Sequence, residues 1–179
     1  FGGAYYVWMA ILFCFIIQAV SYEYRKKPDN FLGQKTFEVF LFINGSLGII
    51  LIGAAVGTLF TGGNFILSDM NLSSWTLSSR GLEAVLNPFN VILGLVVFFL
   101  ARVQASLYFL NNIDHEKIVQ NTRRTLRNDA ILFLAFFVLF SVLLLTLSGV
   151  AHQGNAFVVV KYKFLLNFLD TPVLLGIFL

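Results

Sequence analysis

Four apolar runs, each long enough to cross a lipid bilayer, constrain this chain more than any other feature. They occupy residues 1–20, 37–60, 89–110 and 130–150, with short polar segments between them. A helix needs about 20 residues to cross a hydrocarbon layer about 30 Å thick. A soluble domain has no core large enough to bury so many such runs. Charged residues make up only 12% of the chain, and 58% is hydrophobic, against about 25% charged in an ordinary soluble domain. The expected fold class is therefore all-α: a polytopic transmembrane helical bundle with four full spans and a fifth starting near residue 171. Cys14 is the only cysteine, which excludes an intramolecular disulfide or a cysteine-rich metal cluster.

The net charge of +3 gives no sign of nucleic-acid binding, but the positions of the positive residues are informative. Arg25, Lys26, Lys27 and Lys35 follow the first run, and Lys117, Arg123, Arg124 and Arg127 follow the third. Lys and Arg concentrate in cytoplasmic loops. Loops 21–36 and 111–129 are thus expected in the cytoplasm and the Phe1 end outside, in a multi-pass arrangement. Tyr5, Tyr6 and Trp8 at one end of the first run, with Tyr22 and Tyr24 at the other, suit the two headgroup levels. The chain opens on Phe1 inside an apolar run and closes in a short apolar run from Thr171. It is read as the middle of a longer protein.

Polar and small residues inside the runs are the candidate functional positions. Ser46, Gly53 and Gly57 share one helical face, and Gly53 to Gly57 is a small-xxx-small stretch that favours close helix packing, either within the bundle or in a dimer. Pro88, preceded by Asn87, is placed to open the third span, since proline suits a first helical turn. Ser78 or Ser79 is expected to cap a short helix through Glu83 to Leu86. Arg102 is the most costly intramembrane group, roughly 12 Å of helix before Leu110. It is expected to snorkel or to pair with Glu38, the sharper alternative being a proton or anion pathway. Gln104, two residues on, is the candidate for a buried polar contact between helices or with a quinone. Neither His115 nor His152 lies in an expected span, which leaves Met9 and Cys14 as the intramembrane residues of haem-ligating type. No nucleophile–base set or phosphate-binding glycine loop is present, so no catalytic or metal-binding residue is assigned.

Several stretches together resemble subunit II of the cytochrome bd-type quinol oxidases. Tyr22-Glu23-Tyr24-Arg25-Lys26 resembles the cytoplasmic end of a family helix. Leu86-Asn87-Pro88-Phe89, followed by Gly94, is similar to a family loop-to-helix junction, and Gln104, Ala105 and Tyr108 continue that match. Asn167 with Thr171-Pro172-Val173 resembles an Asn-Thr-Pro segment, here interrupted by Phe168, Leu169 and Asp170. The resemblance implies a membrane heterodimer that oxidises quinol and reduces oxygen to water while generating a proton gradient. It implies haem b and haem d in the partner subunit I, quinol as substrate of the complex, a structural quinone in some members and room for small accessory subunits. Two departures limit it: the family's acidic and Trp-rich motifs would lie upstream of Phe1, and Arg102 stands where an apolar residue is expected. The rival reading is a secondary membrane transporter, for which Arg102 and Gln104 are the sole hint of a midplane site.

Overall fold

The computed structural model describes residues 4–28, 30–70, 72–153 and 156–171. Four helices in it are long and apolar enough to cross a membrane: α1 (Tyr5–Tyr24), α2 (Gln34–Thr61), α3 (Pro88–Asn112) and α4 (Glu116–Thr146). The all-α transmembrane fold class is thus what the chain adopts, with strands confined, among the described residues, to two hairpins in the connections. The chain forms two compact units, Phe1–Phe136 and Phe137–Leu179.

In the first unit α2 is central, with α1 on one side and α3 on the other. Val7, Ile11, Cys14 and Ser21 fall at helical spacing on α1 and are its buried residues. The first three meet Leu51 and Ala55 of α2 and Ala84 in one apolar cluster with Ala4, while Ser21 donates its hydroxyl to the Ile17 carbonyl. The other faces of α1 expose Phe13, Phe15 and Ile16, as expected where lipid or a neighbouring subunit is the solvent. Gly33 and Gly62 flank α2 with φ of +79° and +77°, a region that glycine enters without steric cost. Between α1 and α2, Asn30 folds the chain by accepting at Oδ1 from the amides of Leu32 and Gly33. Its neighbour Asp29 lies outside the described residues.

The segment between α2 and α3 is more ordered than a polar loop. β1 (Phe65–Leu67) and β2 (Ser73–Trp75) pair antiparallel, with Phe65 opposite Trp75. A 3-10 helix, Leu82–Leu86, then rests on α1, α2 and α3. It starts at Gly81, not at a serine cap: Ser79 instead donates its hydroxyl to Glu83. The Tyr6 amide donates to the Arg80 carbonyl at 3.2 Å, tying this segment to the start of α1.

The largest departure from the expected layout is α4. The polar stretch 116–129, expected as loop, is helical, and only residues 113–115 connect α3 to α4. No Gly or Pro interrupts 116–129, so nothing in it breaks a helix, and Glu116 sits in the first turn where its charge is favourable. At the other end α4 stops at Thr146, short of residue 150, and Gly149–Gln153 is already strand.

In the second unit, β3 (Gly149–Gln153) pairs antiparallel with β4 (Ala156–Val160), and α5 (Lys163–Asp170) follows. Lys163 packs so closely on Gly149 that a Cβ there would lie 2.9 Å from its Cβ. Leu165, Phe168 and Leu169 face Phe137, Ser141, Leu144 and Leu145 across a cavity of about 340 Å³. This hairpin and helix stand in the connection between the fourth apolar run and the run that starts near residue 171. The span expected from Thr171-Pro172 lies outside the described residues beyond Thr171.

Candidate functional site

Two groups of residues in the first unit combine close packing with buried polarity. The first is the crossing of α2 and α3. A Cβ on Gly53 would come within 2.6 Å of the Gly94 Cα, and one on Gly94 within 2.5 Å of the Ile50 carbonyl oxygen. Backbone therefore lies on backbone, a separation that only glycine permits. One turn further on, Gly57 abuts Asn90, whose side chain fills the space that a Cβ would need. Ser46 is half-buried on the same face of α2.

Asn90 is 1% exposed, so its polar atoms need partners. Its Nδ2 donates to the Ala84 carbonyl at 3.1 Å and to Thr61 Oγ1 at 3.2 Å, and its Oδ1 also lies within hydrogen-bond distance of that hydroxyl. The amide thereby fastens the 3-10 helix and the end of α2 to the start of α3. Asn87 caps α3 by accepting from the Phe89 amide at 3.0 Å, and Pro88 occupies the first turn. Nearby, Glu83 accepts from the Ser79 hydroxyl and the Gly81 amide, with Asn64 at 3.5 Å. The Ser79 hydrogen bond, followed by the backbone donors, holds the Glu83 carboxyl below its ordinary range.

The second group joins α3 and α4. Arg102 Nε donates to Asp129 Oδ2 at 2.9 Å. The expected partner Glu38 is occupied elsewhere, accepting from Gln34 Nε2 at 2.7 Å. Because α4 starts at Glu116, Asp129 is carried on a helix opposite Arg102 and not in a loop. Asp129 is 5% exposed, whereas the Arg102 side chain is 40% exposed. The guanidinium also lies over the Phe98 ring at 5.7 Å. Phe99 stacks on Phe136 one helical position along, with centroids 5.5 Å apart and planes at 8°. Above the pair opens a cleft of about 280 Å³, into which Ser106, Asn121, Thr122 and Thr125 also face.

The other residues singled out by the sequence sit apart from these groups. Gln104 is exposed on α3 and makes no hydrogen bond within the described residues. Arg25 ends α1, its amide bonded to the Ser21 carbonyl at 3.1 Å and its guanidinium over the Tyr22 ring at 5.2 Å. Met9 is 50% exposed, whereas Cys14 is buried against the Gly48 position on another face of α1. These two residues do not converge as axial haem ligands. Sequence reasoning alone misses Asn90 and Asp129. Asn90 is legible from its place one turn before Gly94 on the packing face. Asp129 is legible as the last charge before a run, 130–146, that carries none.

Helix lengths, apolar outward faces and buried polar seams define a helical integral membrane protein. The model of one family, cytochrome bd terminal oxidase subunit II, matches residues 1–178. The chain belongs to that family. It is also similar to a curated protein of Haemophilus influenzae named "Probable cytochrome oxidase subunit 2", with 28% identity over 96 residues. That match covers 54% of this chain and 25% of the relative, so the chain spans only part of its relative's length. Membership places the chain among subunits of respiratory terminal oxidases, complexes whose chemistry involves haem.

Proposed function

We propose that this chain supports a haem-bearing subunit I in a heterodimeric quinol:oxygen oxidoreductase of the bacterial cytoplasmic membrane. Quinol oxidation and oxygen reduction to water, with haem b and haem d, belong to the partner in this reading. The family match over nearly the whole chain carries the proposal.

The residues support a scaffolding role. Gly53, Gly57 and Gly94 hold α2 against α3 backbone to backbone, and Asn90 locks the outer end. This gives a stiff three-helix platform. Its outer faces carry large apolar side chains such as Phe13, Phe42 and Leu59, 65%, 70% and 80% exposed. Such faces suit a membrane-embedded partner as well as lipid. The two histidines stand outside α1 to α4, His115 in the α3–α4 connection and His152 in β3. Haem attachment through the partner is consistent with that placement. Arg25 and the basic turns of α4 belong on the cytoplasmic side in this topology. Exposed on α3, Gln104 is free to meet a quinone or a residue of the partner or an accessory subunit.

The test is to purify the complex through a tag on the full-length protein and follow oxygen uptake with a reduced quinol. Quinol-dependent uptake that co-elutes with the tagged chain supports the proposal. A pure, folded preparation from the native membrane with no such activity and no partner overturns it and favours a transporter.

A further inference from the structure

The α3–α4 cleft has the chemistry of an oxyanion site. Arg102 spends only Nε on Asp129, and its two outer nitrogens make no hydrogen bond within the described residues. A guanidinium fork of that kind matches two oxygens of a phosphate. Ser106, Thr122 and Thr125 supply hydroxyls and Asn121 an amide around the same space. These positions repeat along one face of each helix: Arg102, Ser106 and Phe109 on α3, and Asn121, Thr125 and Asp129 on α4.

Depth selects the ligand. α4 carries Glu116, Lys117, Arg123, Arg124, Arg127 and Asp129 in its first half and no charge from 130 to 146. Asp129 therefore marks the level at which the helix passes from headgroups into hydrocarbon, and the cleft lies on the headgroup side of it. Ala105 and Phe109 give the cleft an apolar wall, and the Phe98 ring and the stacked pair Phe99–Phe136 follow further along the two helices, away from the charged half of α4. A polar slot that gives way to apolar helix faces fits an amphiphile. The cavity of about 280 Å³ is many times the roughly 10–15 Å³ of such space that a single water needs, and it has room for a phosphodiester group. Asp129, beside the guanidinium, disfavours a doubly charged inorganic phosphate more than a singly charged diester. The arginines on the neighbouring faces of α4 attract anionic headgroups to the same level.

We propose that the Arg102–Asp129 cleft binds the phosphodiester of a membrane phospholipid, with its acyl chains running down the apolar face of α3. The site stands independently of the catalytic reading above. To test it, the native complex is delipidated in mild detergent and reloaded with phosphatidylglycerol, with diacylglycerol, or with inorganic phosphate alone. Bound species are counted by native mass spectrometry. The expected result is a retained phosphatidylglycerol that diacylglycerol does not replace, weakened about 10-fold or more in Arg102→Gln/Asp129→Asn, the size of a lost charge-assisted hydrogen bond. Thr125→Leu fills the mouth while leaving the ion pair intact, and it too should lower retention. If the double variant fails to assemble, Thr125→Leu decides the question by itself. Equal retention in the variants overturns the site, and displacement of the lipid by inorganic phosphate overturns the lipid assignment.

Discussion

Replacing Gly94 with alanine tests the α2–α3 crossing at its tightest point. The new Cβ would lie 2.5 Å from the Ile50 carbonyl oxygen and 3.0 Å from Ile50 Cγ2, where ordinary contact begins at 3.4 Å. Relief requires a shift of 0.9 Å, the difference between 3.4 and 2.5 Å. The oxygen belongs to the backbone, so no rotamer can supply that shift and the helices must separate. A gap of about 0.5–1 Å already forfeits a quarter to a half of each dispersion contact. Overpacking of this kind costs about 1–3 kcal/mol. Gly45→Ala is the matched control, because among the described residues its Cβ meets only Gln18 Nε2, at 3.8 Å. It gains up to about 1 kcal/mol of helix propensity without a clash. Thermal unfolding of the purified complex should therefore show a lower midpoint for Gly94→Ala and an unchanged or higher one for Gly45→Ala. Equal midpoints for the two variants would refute the close approach. Gly53→Ala should resemble Gly94→Ala, and the two together should cost less than their sum because both force the same separation.

The polar seams can be probed in the same way. Asn90→Ala removes one donor from the Ala84 carbonyl and one partner from the Thr61 hydroxyl, which keep the Asn87 amide and the Gly57 carbonyl, each at 3.4 Å. It should cost about 1 kcal/mol, read as a lower unfolding midpoint than the parent, and Asn90→Asp, which sets a buried carboxylate against the Ala84 carbonyl, should lower it further. Arg102→Gln and Asp129→Asn should each destabilise, and a double-mutant cycle should return a coupling of about 0.5–3 kcal/mol, toward the low end because Arg102 is 40% exposed. A cycle with no coupling would dismiss the ion pair. For Glu83 the folded carboxyl titrates below its unfolded value. Its contribution is therefore complete above the ordinary glutamate range and lost as pH falls through the lower folded value. Glu83→Gln should flatten the acid side of the stability-against-pH curve, and an unchanged acid limb would dismiss the Ser79–Glu83 turn as a stabilising element.

The helices are legible in the sequence because lipid demands long uninterrupted apolar runs. Pro88 and Asn87 mark the start of α3 through local chemistry alone. The ends of α4 are not legible from hydropathy, which reports where lipid lies and not where the helix stops. Residues 116–129 are polar yet helical, and residues 149–150 are apolar yet strand. The short hairpins escape notice for a similar reason: Phe65–Leu67 and Ser73–Trp75 are too brief to show an alternating pattern. Arg102 stands out by its cost, but its partner depends on a helical hairpin that brings Asp129 alongside. Pairing with Glu38 is sound only if 111–129 is a loop. The place of Asn90 one turn before Gly94 marks it as a packing position, but its partners on α2 and the 3-10 helix are not shown by any single-helix pattern.

Whether this chain serves a haem-containing terminal oxidase is decided most directly by a reduced-minus-oxidised spectrum. The complex is purified through the full-length protein in mild detergent. Haem b and haem d bands that co-elute with the chain in fixed proportion are the expected result. A folded, monodisperse preparation from the native membrane without haem bands would contradict that role.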